Sequence, residues 1–386
     1  MSETLLYTEA LHVALLRRTR LIPPETRIEA RRRVLIVLAF VWLPLALLSL
    51  VEWLGRGNAQ ASGFFTDIAA QARFFLAVPL LVLADYTVLP RLDQMASFFL
   101  RSSLIPLAER ARFILLVDST RRLSAGVWPS ATVSLIAYGF IATTAFVVPT
   151  GEWASWQFVP GHPGRSLPGW WLLLVSMPVL LGLMLSWVWR WVLWLRVLWR
   201  LSRMGLTLVS SHPDRAGGIA FLAESPRAFI PLVLPVSIVV AATLAHSLLI
   251  DGTTAIGHEA TPLITAVLVV VVFASPLLMF TRVMLAARHI GTRAYGELAR
   301  RMGLVFERRW LDENRTVDDD TLEKPDFSST TDLYGIVSNV VGMRLLLVDY
   351  PTLVAVAITA VLPFVPLWLA AVPFQTLVDK VVGMLV

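Results

Sequence analysis

Asp85 stands inside the apolar run FFLAVPLLVLADYTVLP. A carboxylate there carries a large desolvation cost unless it is paired or hydrated, so in a membrane-like segment it points to function by default. Arg190 sits near the inner end of a second apolar run, WWLLLVSMPVLLGLMLSWVWR, where it could meet Asp85 as an ion pair. The pair has two readings, a structural clamp or a gate or proton site whose charge changes with access. His246, in VAATLAHSLLI, falls about one helical turn from the outer end of its own segment. Helix rise places it in the other half of a bilayer from Asp85. We read it as a hydrogen-bonded structural histidine, with gating as the chemistry it could otherwise perform.

A third constellation is SSHPDRAGGIAFL, residues 210–222. Ser211 and Asp214 can cap a following helix, Pro213 sets a turn, and Gly217 and Gly218 tolerate positive φ. These parts build a corner between two helices. The same parts could build an anion site: free N–H groups at Gly217, Gly218 and Ile219, flanked by Arg215 and His212, would cradle a lipid phosphate or a permeating anion. Both readings stay open. The tripeptide HPD lacks the soluble helical-hairpin context of a chaperone-partner loop.

Other chemistry finds little support. The chain has no cysteine, which excludes thiolate and disulfide chemistry. No HExxH, GxSxG or phosphate-binding P-loop is present, so we expect no enzyme, no cofactor and no bound metal. His162, His258, Asp251 and Glu259 fall on outer loops without ligand spacing. The acidic stretch with Asp318, Asp319, Asp320 and Glu323 lacks the alternating ligands and fixed glycine of a calcium loop, and reads as a solvated linker.

These residues need elements to hold them. Of 386 residues, 56% are hydrophobic and 16% charged, well below the roughly 25% charged of soluble domains. Seven windows suffice to cross a bilayer: about 33–54, 74–90, 127–149, 170–190, 229–250, 263–287 and 353–372. The second is the shortest. The first is too long for a signal peptide and is expected to remain in the membrane. All but four of the 33 Lys and Arg (Arg56, Arg73, Arg165 and Lys380) fall in 1–33, 91–126, 190–228 and 282–350. That asymmetry places the N-terminus and those segments in the cytoplasm. The net charge of +6 therefore reads as orientation and affinity for anionic headgroups, with no nucleic-acid module visible.

The expected fold class is thus all-α, a polytopic bundle of seven spans. Residues 1–32 form a cytoplasmic amphipathic segment, and 33–386 form the bundle with cytoplasmic extensions at about 190–228 and 282–350. The inner loop 91–126 is expected to lie along the membrane. Arg196, Arg200 and Arg203 form a stripe beside interfacial tryptophans, which suits snorkelling side chains better than a voltage sensor. Prolines at 231, 235, 363 and 366 free backbone carbonyls inside spans, which suits helices lining a polar path.

HPDRAGGIAFL (212–222) and MRLLLVDYPTLVAVAITAVLPFVPLWLAAVPFQTLVDKVVGMLV (343–386) resemble an uncharacterised family of bacterial multi-pass inner-membrane proteins. That family has an HPD…GG-Phe loop and a terminal Leu-Pro-x-x-Pro span, and an Asp–Ser–Asp region that here reads PDFSSTTDL, with Asp326 and Asp332. The resemblance implies a bacterial inner-membrane location and brings no activity with it. Two functions are carried forward: a channel or transporter for a small ion or solute, working as a homo-oligomer, and a non-enzymatic scaffold or signal relay whose cytoplasmic helices 190–210 and 281–312 bind a protein partner.

Overall fold

In the computed structural model the described residues are 6, 26–147, 153–162, 164–249, 259–311 and 326–371. Among them the chain is helical throughout, and the one β-type pairing is an isolated bridge between Phe158 and Arg165. Seven helical segments are long and apolar enough to cross a membrane. They are span one (Glu29–Gly55), span two (Ile68–Arg101), span three (Val127–Val147), span four (Leu167–Leu201), span five (Ala220–Leu248), span six (Thr261–Trp310) and span seven (Tyr350–Leu369). The protein is an all-α, multi-pass membrane bundle. "Inner" below means the arginine-rich side.

Side-chain contacts fix the up-and-down order of the first spans. Near the outer end, Leu167 N–H donates to Glu52 at 3.3 Å, and Trp42 donates to Gln71 at 2.7 Å. Midway, Ser176 donates to the Val41 carbonyl at 2.8 Å. Further in, Trp187 donates to the Leu81 carbonyl at 3.1 Å. Spans one, two and four therefore meet along their length, span one antiparallel to the other two and spans two and four parallel to each other. Spans two and five are the most enclosed of the seven. Span seven packs on span six and span five, with Val233, Ala266, Val269, Val356 and Ala360 forming a small apolar cluster of their own.

Span two extends well beyond its expected window at both ends. It is a 34-residue helix of about 51 Å, not the shortest span. It begins six residues earlier than 74, capped by Asp67, and runs eleven residues past Pro90. Residues 91–101 belong to that helix, so the expected inner loop breaks at Ser102–Pro106, where Ser103 takes a positive φ of 56°. A separate helix, Leu107–Ala125, follows and buries Phe113, Leu116 and Val117. It joins span four through Arg196, which donates to Thr120 and Ser119 at 2.9 and 3.0 Å.

Spans four and six both run on past a bilayer's thickness, but the span-four helix stops at Leu201, short of the expected 210. Span four runs 35 residues, about 52 Å, against a hydrocarbon core of about 30 Å. At its end the Arg203 and Arg200 guanidiniums lie over the Trp199 ring, 4.1 and 5.3 Å from its centroid. Span six bends through a 3₁₀ turn at Ser275–Phe280, where Pro276 removes a donor, and continues as the 30-residue helix Thr281–Trp310. The return helix Asp326–Val341 packs beside it, with Phe327 meeting Phe306 and Trp310. The acidic stretch with Asp318, Asp319, Asp320 and Glu323 lies outside the described residues, as do Asp251 and His258. Of the N-terminal segment only Leu6 is described before Thr26. It is buried, and its N–H donates to Asp93 at 2.6 Å. The helix that enters span one starts at Thr26, so it runs through the expected boundary at residue 32 without a break.

Candidate functional site

Asp85 is held from two sides. Arg33 Nη2 approaches Oδ2 at 2.7 Å, and Arg190 Nη1 is in contact with Oδ1. The three side chains are at most 11% exposed. Span one brings Arg33, span two Asp85 and span four Arg190, each on the inner half of its helix. The pairing of Asp85 with Arg190 meets the expectation from sequence. Arg33 was read only as a charge flanking span one; because the helix starts at Thr26, Arg33 lies about two turns inside it and reaches the same depth.

The neighbours orient both guanidiniums. Arg190 lies 4.8 Å from the centroid of Trp187, whose indole N–H is tied to Leu81. Arg33 lies 5.8 Å from the centroid of Tyr86, and the Tyr86 hydroxyl donates to Glu29 at 3.3 Å. Glu29 is itself buried. Two carboxylates and two guanidiniums thus make a neutral cluster spread over three spans. Four residues below Tyr86, Pro90 has no N–H to give, so the Tyr86 carbonyl loses its helical partner beside the cluster.

The outer half of spans two and five holds a second polar group. Asp67 caps the start of span two through the Ala70 N–H at 2.9 Å and accepts the Trp156 indole N–H at 2.9 Å. His246 Nδ1 lies 3.6 Å from Asp67. That separation is too long for a hydrogen bond, and Nδ1 has no hydrogen-bond partner among the described residues. The expected hydrogen-bonded histidine is therefore corrected at this nitrogen. One turn away, Arg73 donates to Thr243 at 3.0 Å. Asp67 and Arg73 lie outside the span-two window or at its edge, which is why sequence reasoning passed over both. The Asp67-x-x-Ala70 cap before an apolar run was the available signal.

At the SSHPDRAGGIAFL stretch the anion cradle is filled from within. The Asp214 carboxylate accepts N–H bonds from Ala216 at 2.8 Å, from Gly218 at 3.1 Å and from Ala220 at 3.1 Å. His212 Nδ1 lies 2.8 Å from the same carboxylate. Burial pushes the Asp214 carboxyl up, but the bonds from Ala216, Ala220, Gly218 and His212 outweigh it and hold it below the usual carboxylate value. The N–H of Ile219 turns to the Ala216 carbonyl. The expectation of free N–H groups at Gly218 and Ile219 is corrected accordingly: the negative charge they attract belongs to Asp214.

Positive φ at Arg215, Gly217 and Gly218 closes this turn. The exposed Arg215 side chain points away from a pocket role, while its carbonyl accepts the Arg344 N–H at 2.7 Å. Ser210 donates to the Ala287 carbonyl at 2.7 Å, and Ser211 pairs with the Tyr295 hydroxyl at 3.1 Å. Thr207 N–H donates to the Leu104 carbonyl at 2.9 Å. The corner therefore clamps together the ends of spans two and four, the extension of span six and the connector into span seven. It does not touch the Asp85 triad.

Among the described residues, no three His, Asp or Glu side chains converge as metal ligands. Comparison of the chain with family models, with curated proteins and with solved structures finds no match.

Proposed function

We propose that this membrane protein moves a small ion or solute, and that Arg33, Asp85 and Arg190 form the lock at its inner end. One observation carries the reading: a desolvated carboxylate shared by two guanidiniums that belong to two other spans. Charges in such places mark ion pathways and relays more than they mark stability, because a buried pair recovers little beyond its own desolvation. The lock can be opened by exchange. A proton or cation at Asp85, or an anion at Arg33 or Arg190, removes one pairing and frees one span from the others. The Asp67–His246 and Arg73–Thr243 contacts add further polar groups at the outer end, between spans two and five. A bacterial inner-membrane location and assembly as a homo-oligomer belong to this proposal. The sidedness of the arginines and the sequence resemblance support the first of these.

The test is flux through the purified protein in liposomes, comparing wild type with Asp85→Asn and Arg190→Gln. Thermal unfolding of each variant runs in parallel, so that loss of fold is seen separately. Flux that is lost or altered in selectivity by a folded variant supports the lock.

The second reading is a scaffold or signal relay, with no enzymatic step. It is favoured by the helix Thr281–Trp310, which extends about 45 Å and leaves Ile290, Leu298 and Val305 exposed among its charges. Wild-type protein that is folded and inserted but conducts nothing moves the assignment to this reading, and capture of a partner on that helix then tests it.

A further inference from the structure

A cleft of about 510 Å³ opens between the inner ends of spans two and five. Span two lines it with Arg91, Gln94, Met95 and Phe98, and the start of span five with Phe221, Glu224 and Arg227. Among the described residues, neither Arg91 nor Arg227 makes an ion pair or a hydrogen bond. Other arginines of this side are engaged, Arg196 by Ser119 and Thr120, and Arg200 and Arg203 over Trp199; Arg91 and Arg227 instead line one hollow together. Two unpaired guanidiniums, one from each span, lining one hollow with Phe98 and Phe221 describe a site for an amphipathic anion.

We propose that this cleft binds the headgroup of an anionic phospholipid from the inner leaflet. Depth supports the choice. Arg91 lies six residues beyond Asp85 on one helix, about 9 Å further toward the inner face, where span two leaves the hydrocarbon. Basic pockets between helices at that level take anionic headgroups. Charge supports it too. Arg91 and Arg227 against Glu224 leave one net positive charge, which one phosphodiester neutralises. Gln94, in the same lining, offers a donor and an acceptor to headgroup hydroxyls, and Glu224 a further acceptor. Phe98 and Phe221, with ring centroids 4.4 Å apart, form the apolar floor along which the first carbons of an acyl chain can lie. The volume falls within the range of small-ligand pockets, about 300–1,000 Å³. This assignment is independent of whether the Asp85 triad gates transport. It also moves the anion site from the HPDRAGG turn, whose cradle is filled, to the hollow beside it.

The full chain in detergent is titrated with short-chain phosphatidylglycerol, with phosphatidylcholine of the same chains, and with inorganic phosphate alone. Binding is read by native mass spectrometry and by the shift in unfolding temperature. Phosphatidylglycerol is expected to bind at least tenfold more tightly than phosphatidylcholine. The double variant Arg91→Gln/Arg227→Gln is expected to weaken that binding by about tenfold or more while unfolding at the wild-type temperature without lipid. Glu224→Gln is expected to tighten it, and Arg101→Gln, at the exposed end of the same helix, to leave it unchanged. Equal binding of the two lipids, or a double variant that binds as wild type, overturns the proposal. Inorganic phosphate that binds as tightly as phosphatidylglycerol overturns the lipid assignment in favour of a soluble phosphate.

Discussion

Arg33 and Asp85 meet at 2.7 Å across two spans, although most of span one, a loop and half of span two separate them in the chain. Arg190 closes the other side of the same carboxylate. The two arginines are not equivalent to the aspartate in what their loss would do. Asp85→Asn leaves two buried guanidiniums with Glu29 as the one carboxylate of the cluster, whereas Arg33→Gln or Arg190→Gln leaves one pair at Asp85 intact. Removing one partner of a buried pair costs about 3–5 kcal/mol. Asp85→Asn is expected at or above that range and each arginine variant below it, as measured by denaturant unfolding in detergent. An arginine variant that costs as much as Asp85→Asn would show that losing one arginine abolishes the whole contribution, so that neither remaining pair holds on its own.

The turn at Gly217 is expected to reject a methyl group. Its φ is +72°, and an added Cβ would lie 3.0 Å from Leu208 Cβ and 3.3 Å from Met343 Cε. Left-handed backbone alone costs an L-residue about 1–2 kcal/mol. Gly217→Ala is therefore expected to lower stability by about 1–3 kcal/mol. Gly205→Ala, where nothing lies within 4 Å, serves as the neutral control. Comparable losses in both would place the cost outside the turn.

Acid should loosen the same corner. The Asp214 carboxyl titrates below its ordinary value of 3.8 because the N–H bonds favour the ionised form. Its contribution is fully present above 3.8 and is lost as pH falls through the lower folded value. Wild-type protein is expected to weaken below about pH 4, while Asp214→Asn, weaker by about 1–3 kcal/mol at neutral pH, lacks that part of the acid limb. Parallel acid limbs for the two proteins would assign the transition to other carboxylates.

Orientation can be read with single cysteines, since the chain has none. Ala216 lies in the inner loop but is fully buried, so a thiol there would report packing and not sidedness. The Arg301 side chain is 72% exposed on the extension of span six. Arg301→Cys is expected to resist an impermeant thiol reagent in intact cells, and Gln60→Cys, exposed between spans one and two, to react. The opposite pattern would invert the bundle.

Much of this was legible in the sequence because hydropathy and arginine placement obey strong constraints. The seven spans, their order and the meeting of Asp85 with Arg190 follow from where charge is tolerated in hydrocarbon. Arg33 escaped because an arginine next to a span is the commonest way to mark its inner end, and only the true helix start at Thr26 puts it inside. Span two was cut short because Arg73 and Asp67 at one end and Arg91 at the other look like boundaries in a hydropathy window. Each is instead used by the helix, through Thr243, through its own cap, and in the cleft with Arg227. The role of Asp214 was undecidable from residue types, since a nest built for a guest and a nest filled by its own side chain need the same glycines.

The HPDRAGG turn and the connector into the last span touch, Arg344 N–H on the Arg215 carbonyl, although the two are 129 positions apart in the chain. The charge triad, by contrast, is complete by residue 190. During synthesis the first four spans can therefore secure themselves with their own ionic bond while the rest of the chain is still emerging. The corner holds three neighbours in register only after residue 344 has been added. Assembly in the bilayer is then expected to pass through a stable four-span stage, with the inner face sealed last.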